Sequence, residues 1–196
     1  NGVAHSEEAT GRYRGELHGI QLWVAQPERT RHGDASFEHH ADLPRVDVGN
    51  GTAMVIVGEV GDARSPARRD TDHTGVELDL RPGRSAVALR PDYEHALVVL
   101  DGRVALDGTV VEDGRLAYLG TQREELAVEA REPARAVLLG GVPFPDELLM
   151  WWNFVARSRD EVENAYRSWN APDGRFGTVA SPLRRIDAPV PQWLQG

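Results

Sequence analysis

Between residues 52 and 141 the chain is a succession of short apolar runs, each stopped within a few residues by Gly, Asp, Asn or Pro. Runs this short cannot make core helices, and several alternate apolar with polar residues, the period of a strand with one buried face. "GVELDLRPG" alternates Val76, Leu78 and Leu80. "TAMVIVGEV" is nearly continuous and rich in valine, which suits a strand buried on both sides. "HALVVLDGRVAL" reads as two strands joined at Asp101-Gly102, a dipeptide that favours a tight turn. "LAYLG", "EELAVEA" and "ARAVLLGG" follow at similar spacing. Many short strands with turn residues between them predict an all-β sandwich or barrel rather than alternating α/β units. Upstream, "ELHGIQLWVAQP" adds a further strand pattern at Ile20, Leu22 and Val24, with Trp23 expected to be covered from the opposite face.

One segment has a different period. In "SRDEVENAYRSW" Ser158 and Glu161 have the spacing of a capping box, and Val162, Ala165, Tyr166 and Trp169 follow at i, i+3, i+4 and i+7. This predicts a helix that ends at "NAPDG", its apolar face packed on the β body or offered to a partner. The tail beyond Phe176 is rich in Pro and Arg and reads as extended, with Trp193 as an anchor on the body or on another subunit. Residues 26–44 and 61–75 are polar and aperiodic, and the first of these is placed to separate two β domains.

Composition narrows the chemistry. The 196 residues carry a net charge of -9, which opposes general nucleic-acid binding, since that requires a basic surface. Cysteine is absent, so disulfides and thiolate chemistry are excluded within this segment. All 22 basic residues are arginine, so neither a Schiff base nor a Walker-type phosphate lysine is available. There is no GxSxG, GxGxxG or Walker pattern, and Gly140-Gly141 belongs to none of them. No apolar run approaches the length of a membrane span, so no membrane association is expected and the cytoplasm is the expected location.

The candidate chemistry lies in "NGVAHSEEATG". On an extended backbone His5 and Glu7 share a face while Ser6 points away, so an imidazole and a carboxylate converge. A nitrogen and an oxygen donor so placed suit a non-haem iron or a similar divalent ion. Two donors do not complete a site, and a surface pair explains the same spacing, so both readings stand on the residues alone. His18 is placed either as a hydrogen-bonding neighbour of such a metal or as a structural histidine. His39 and His40 read as a solvated pair, and His32 and His73 fall in polar loops with no role assigned. Met150, Trp151 and Trp152 read as packing or as an aromatic ligand platform.

Together these motifs resemble the pirin family of bicupin proteins. "NGVAHSE" is similar to the family's glycine turn and His-Ser-Glu strand, and "HGIQLWV" with Pro27 follows in the family's order. "LLGGVPFPDEL" resembles the family's GGxPxxEP segment, with Leu148 in place of the final proline. "WWNFVARSRDEVENAYRSW" is similar to the closing helix with its Phe-Val entry.

The resemblance implies an all-β bicupin, two jelly-roll-like β-barrels with a C-terminal helix. Residues 1–30 would be closing strands of the N-terminal, metal-binding cupin, 31–44 a linker, 45–145 the C-terminal cupin, and 146–196 the helix and tail. It also implies one Fe(II) or similar divalent metal, with His5 and Glu7 as two ligands and two further histidines upstream of Asn1. The odd start of the chain then reads as entry partway through the first cupin. In the second barrel Arg90 and Asp92 stand where metal-binding cupins carry histidines, and His95 stands near the glutamate position. An arginine there repels a cation and fills the cavity, so this barrel is expected to be metal-free.

Two function classes follow from the resemblance. One is flavonol oxygenation of the quercetin 2,3-dioxygenase type, with Glu7 also taking a proton from the flavonol hydroxyl of a small aromatic substrate. The other is regulation through protein partners, transcriptional or metabolic, with no direct contact to nucleic acid. A third class, a β-rich binding domain without metal, is what the bare strand pattern allows.

Overall fold

The structure is a computed structural model that describes residues 2–8, 11, 14–15, 19–171 and 174–195. It divides into two compact units, one formed by Phe37–Phe144 and the other by Asn1–Ser36 with Pro145–Gly196.

The Phe37–Phe144 unit is built from β1 (Arg45–Asp47), β2 (Gly49–Val57), β3 (Glu59–Val60), β4 (Ala63–Arg64) and β5 (His73–Ala88). These are followed by β6 (Glu94–Asp101), β7 (Arg103–Leu106), β8 (Thr109–Glu112), β9 (Leu116–Gly120), β10 (Glu125–Ala130) and β11 (Ala134–Gly141). A single antiparallel sheet runs β8-β7-β10-β5-β11-β6-β9, with β2 also paired to β5 and β1 to β2. The sheet curls on itself because β5 is long enough to serve two sets of partners. Residues 75–80 pair with both β2 and β11, and residues 83–88 pair with β10.

The inward residues of β5 confirm the sequence period and show where it slips. Val76, Leu78 and Leu80 are buried as expected, and the inward set then becomes Ser85 and Val87, one residue out of phase. The slip falls at Pro82-Gly83, where Gly83 adopts φ +133 and the Asn50 side chain lies against it. A one-residue slip exchanges the two faces of a strand, and here it hands β5 from one side of the barrel to the other. Leu97 and Val99 of β6, Leu126 and Val128 of β10, and Ala136 and Leu138 of β11 complete the core.

Two expectations are corrected. β2 buries Ala53 and Val55 on one face, whereas Thr52, Met54 and Ile56 on the other face are only partly covered. Its apolar run is therefore a one-faced strand. Asp101-Gly102 does turn the chain, with Gly102 at φ +72, yet β6 and β7 do not pair with each other. Both edges of β6 are taken by β11 and β9, so β7 is released to β10 and β8. The two-residue hairpin lies at Asp107-Gly108, where Leu106 faces Thr109 and both turn residues have positive φ, +49 and +80.

The other unit carries β12 (Leu149–Trp151), β13 (Phe154–Ala156) and α1 (Arg159–Asn170). Ser158 caps α1 by accepting from the Glu161 amide at 3.3 Å, and Val162 and Ala165 are buried as the stripe predicts. Around them pack Phe154, Ala156 and Ala188, with Trp151, Trp152, Tyr166, Trp169, Phe176 and Trp193. Trp193 anchors the tail within this unit. Its ring meets Trp151 edge-on at 5.5 Å and its Nε1 donates to Glu163 at 3.1 Å. Asn170 clamps the tail by donating to the Ala188 carbonyl and accepting from the Ala188 amide, both at 2.9 Å. Trp151 and Trp152 are therefore packing residues, while Met150 is exposed.

Glu161 does not close a reciprocal capping box. Its carboxylate accepts a fork from Arg31 (2.7 and 3.1 Å) and the Arg157 amide at 2.8 Å. These bonds, led by Arg31, hold its pKa down to about 2. A depressed carboxylate stabilises the fold above its unfolded value, and that contribution disappears as pH falls from about 4.5 toward 2. Glu161→Gln is expected to cost this unit about 1–2 kcal/mol at neutral pH. Urea unfolding followed by tryptophan fluorescence should show the gap between variant and parent closing between those two pH values.

Candidate metal centre

The structure places His5 and Glu7 in a segment without strand pairing, and both side chains are exposed. The segment is tied down at Ala4, whose amide donates to the Phe176 carbonyl at 3.1 Å. Gln21 Nε2 donates to Glu7 Oε1 at 3.4 Å, so the carboxylate has a polar neighbour from the "HGIQLWV" stretch. That stretch forms no strand among the described residues. Ile20, Leu22 and Val24 stand 39%, 38% and 51% exposed, and Trp23 is 46% exposed rather than covered. An alternating segment becomes a strand only when a neighbour takes its backbone bonds, and none of the described residues does so. His18 lies outside the described residues.

The donor types fit the expected metal and their number does not complete a site. An imidazole nitrogen and a carboxylate oxygen suit a divalent transition ion, which needs at least a third protein ligand to be held. No group of three or more His, Cys, Asp or Glu side chains is placed to hold a metal among the described residues. His39 is exposed, while His40 is half-buried and pairs with Glu38 at 3.1 Å. His32 pairs with Glu28 at 3.3 Å.

A second set of titratable residues gathers at one end of the barrel, where β5 and β6 begin and β9 and β11 end. Across this end Thr74, Gly140, His95 and Gly120 lie in one row on β5, β11, β6 and β9. His95 continues the inward phase of Leu97 and Val99 and is 2% exposed. Burial holds its imidazole below the ordinary histidine range. Tyr93 is equally enclosed, its phenol raised by burial. Arg90 does not fill the barrel, contrary to expectation. It lies at the rim, 45% exposed at the side chain, forked onto Asp92 (2.7 and 3.0 Å) and stacked 4.7 Å over Tyr93. The turn at 91–93 carries the Arg90–Asp92 pair outside the wall, and the first inward side chain of β6 is His95. The signal for this was present in the alternation of His95, Leu97 and Val99, which marks His95 as interior.

A curled antiparallel barrel with a long shared strand defines a cupin. The model of the pirin C-terminal cupin domain matches residues 75–177. The chain belongs to the pirin family. It is 35% identical over 195 residues, 98% of its length, to a Pseudomonas aeruginosa protein named "putative quercetin 2,3-dioxygenase". It is 34% identical over 177 residues, 87% of its length, to a pirin-like protein of Caulobacter vibrioides. The chain spans 62% and 60% of those two relatives. The crystal structure of quercetin 2,3-dioxygenase from Acinetobacter baumannii superposes with a TM-score of 0.81 at 34% identity, covering 86% of this chain and 57% of that one. No helix among the described residues is long and apolar enough to cross a membrane.

Proposed function

We propose that this protein is a metal-dependent dioxygenase of the quercetin 2,3-dioxygenase type, working in the cytoplasm on a small planar flavonol. The observation that carries the reading is the likeness to the A. baumannii enzyme, a TM-score of 0.81 at 34% identity. His5 and Glu7 supply an imidazole nitrogen and a carboxylate oxygen to Fe(II) or a similar divalent ion, and two histidines from outside these 196 residues complete the set. The bound metal would bring flavonol and dioxygen together and polarise the flavonol oxygens. Glu7 has the second task of accepting the proton of the flavonol hydroxyl as the substrate binds. Gln21, donating to Glu7 Oε1, orients the carboxylate for both tasks.

The test uses the full-length protein encoded by its gene. It is expected to carry about one iron per chain and to release carbon monoxide from quercetin in air, and His5→Ala is expected to lose at least about ten-fold in iron affinity. Unchanged iron content in that variant would overturn the ligand assignment. Iron-loaded protein that turns over no member of a flavonol panel would overturn the dioxygenase reading in favour of regulation through a protein partner.

A further inference from the structure

The interior end of the Phe37–Phe144 barrel holds a histidine that the proposed dioxygenase chemistry does not use. His95 is enclosed by Gly140, Thr74 and Tyr93. A Cβ on Gly140 would stand 2.6 Å from its Cδ2 and 2.9 Å from its Nε2, so the ring rests directly on the β11 backbone. The same Cβ would meet Thr74 Cγ2 at 3.3 Å, so His95 and Thr74 close over Gly140 from opposite sides. Tyr93 lies with its ring 6.0 Å from the imidazole and is itself only 2% exposed. Buried so deeply, His95 Nδ1 has no hydrogen-bond partner. The nearby Tyr93 carbonyl acts on it electrostatically without completing a bond. An orphaned buried polar atom is unfavourable, and a charge at the same position is more so.

The charged groups around this end are already committed to one another. Asp92 is the carboxylate whose charge reaches His95, and it is held by the Arg90 fork. From the segment leading into β5, Arg69 lies 3.6 Å from Asp72 and donates to the His73 carbonyl at 2.8 Å. Its guanidinium also lies 3.8 Å from Glu59 of β3, which is 4.0 Å from Arg90. On β5 itself, His73 Nδ1 is engaged by Thr71, and the Thr74 hydroxyl donates to the Val57 carbonyl at 3.1 Å. The facing residues of β11 and β9 are Gly140 and Gly120, which bring no charge. On β6 the next residue, Glu94, points outward and is exposed.

We propose that His95 is a proton-operated latch for this end of the barrel. Neutral, it seals the space between Gly140, Thr74 and Tyr93; protonated, it drives residues 89–95 outward and opens the interior to solvent. The cation so formed has the Tyr93 carbonyl beside it but no carboxylate free to pair with it. It gains one only by drawing Asp92 from Arg90, or it leaves the interior. The sign follows from linkage. A base disfavoured in its charged form when closed binds more protons when open, so the closed state weakens as pH falls through the open-state histidine value near 6.5. One such group raises the opening constant by at most about ten-fold per pH unit.

Amide exchange of the intact chain, corrected for the intrinsic effect of pH, measures that opening directly. In the parent, protection of residues 93–97 and 139–141 is expected to fall by about ten-fold or less per unit between pH 6.5 and 5. In His95→Leu it is expected to stay level, and His73→Asn is expected to behave as the parent. A His95→Leu variant that keeps the parent's loss would overturn the latch, as would a His73→Asn variant that removes it. Should His95→Leu fail to fold, NMR titration of the parent decides. The latch requires the His95 ring to remain neutral down to the pH at which these amides open. A ring that titrates at 6.5 or above while they stay protected would overturn it.

Discussion

Leu78→Ala is expected to lower the stability of the Phe37–Phe144 unit by about 3 kcal/mol or more, near the middle of the range for buried leucines. Leu78 is fully buried at the centre of β5, and the residues opposite it are Ala53 on β2 and Ala136 on β11. The row is thus small, large, small, so one leucine fills space to which two alanines contribute almost nothing. Neighbouring strands are locked by backbone pairing on both sides of β5, which prevents them from closing over the void. Costs reach the upper part of the range when the site cannot collapse. Urea unfolding followed by far-ultraviolet circular dichroism and tyrosine emission reads this unit, which contains Tyr93 and Tyr118 and no tryptophan. A loss below about 1 kcal/mol would show that the alanine row relaxes and that Leu78 is not the keystone of the core.

Phe154→Ala is expected to cost the other unit about 3–5 kcal/mol, enough to unfold it or nearly so. This unit buries Phe154, Ala156, Val162, Ala165 and Ala188, of which three are alanines. Phe154 therefore supplies most of the large buried volume. Its ring stacks on Phe176 at 6.0 Å and meets Trp152 edge-on at 5.3 Å. Trp169 touches both partners, at 5.5 Å from Phe176 and 5.7 Å from Trp152. Losing the central ring leaves each of these aromatics without a face. All five tryptophans lie in this unit, so their emission reports its unfolding separately from that of the barrel. The variant should show a red-shifted tryptophan spectrum, or a midpoint far below the parent's, in conditions where the barrel's dichroism persists. A parent-like tryptophan transition would mean that the tail and α1 hold the cluster without Phe154.

The two units differ in how openly the sequence declared them. In α1 every relevant signal is local. Ser158 caps the helix, Val162 and Ala165 face inward, and the stop follows at Asn170. Helix bonds join residues four apart, so period and cap together suffice. The inward faces of β5, β6 and β10 were equally legible, because alternation is a property of the strand itself. The interaction that moored the 27–33 turn to α1 was not. Arg31 and Glu161 are 130 positions apart, and Glu161 looked like an ordinary capping-box partner until the fold brought a guanidinium to it.

Pairing was the least legible feature. Of the chain's Asp-Gly dipeptides, those at 101–102 and 107–108 lie between strands in β6–β8, and both turn. Only the second makes a hairpin, because β11 and β9 already occupy both edges of β6. The alternating segment at Ile20, Leu22 and Val24 has the right period and no ladder among the described residues, which leaves it half exposed. At the candidate metal centre, residue types alone pointed to His5 and Glu7, and the matched family model, over residues 75–177, does not extend to them. Their number stays at two within the described structure.

Composition and period by themselves determined that this chain is β-rich, carries a helix from Arg159 and has neither thiol nor lysine chemistry. They also determined the apolar side of residues 76–80 and of β6, since those properties depend on residues within a turn or two of one another. The tertiary structure alone decided which edges meet, where β5 changes face and what surrounds His95. A buried imidazole is defined by what lies across the sheet from it. Gly140 is 45 positions away in the chain and in contact in the fold, and no local pattern encodes that distance.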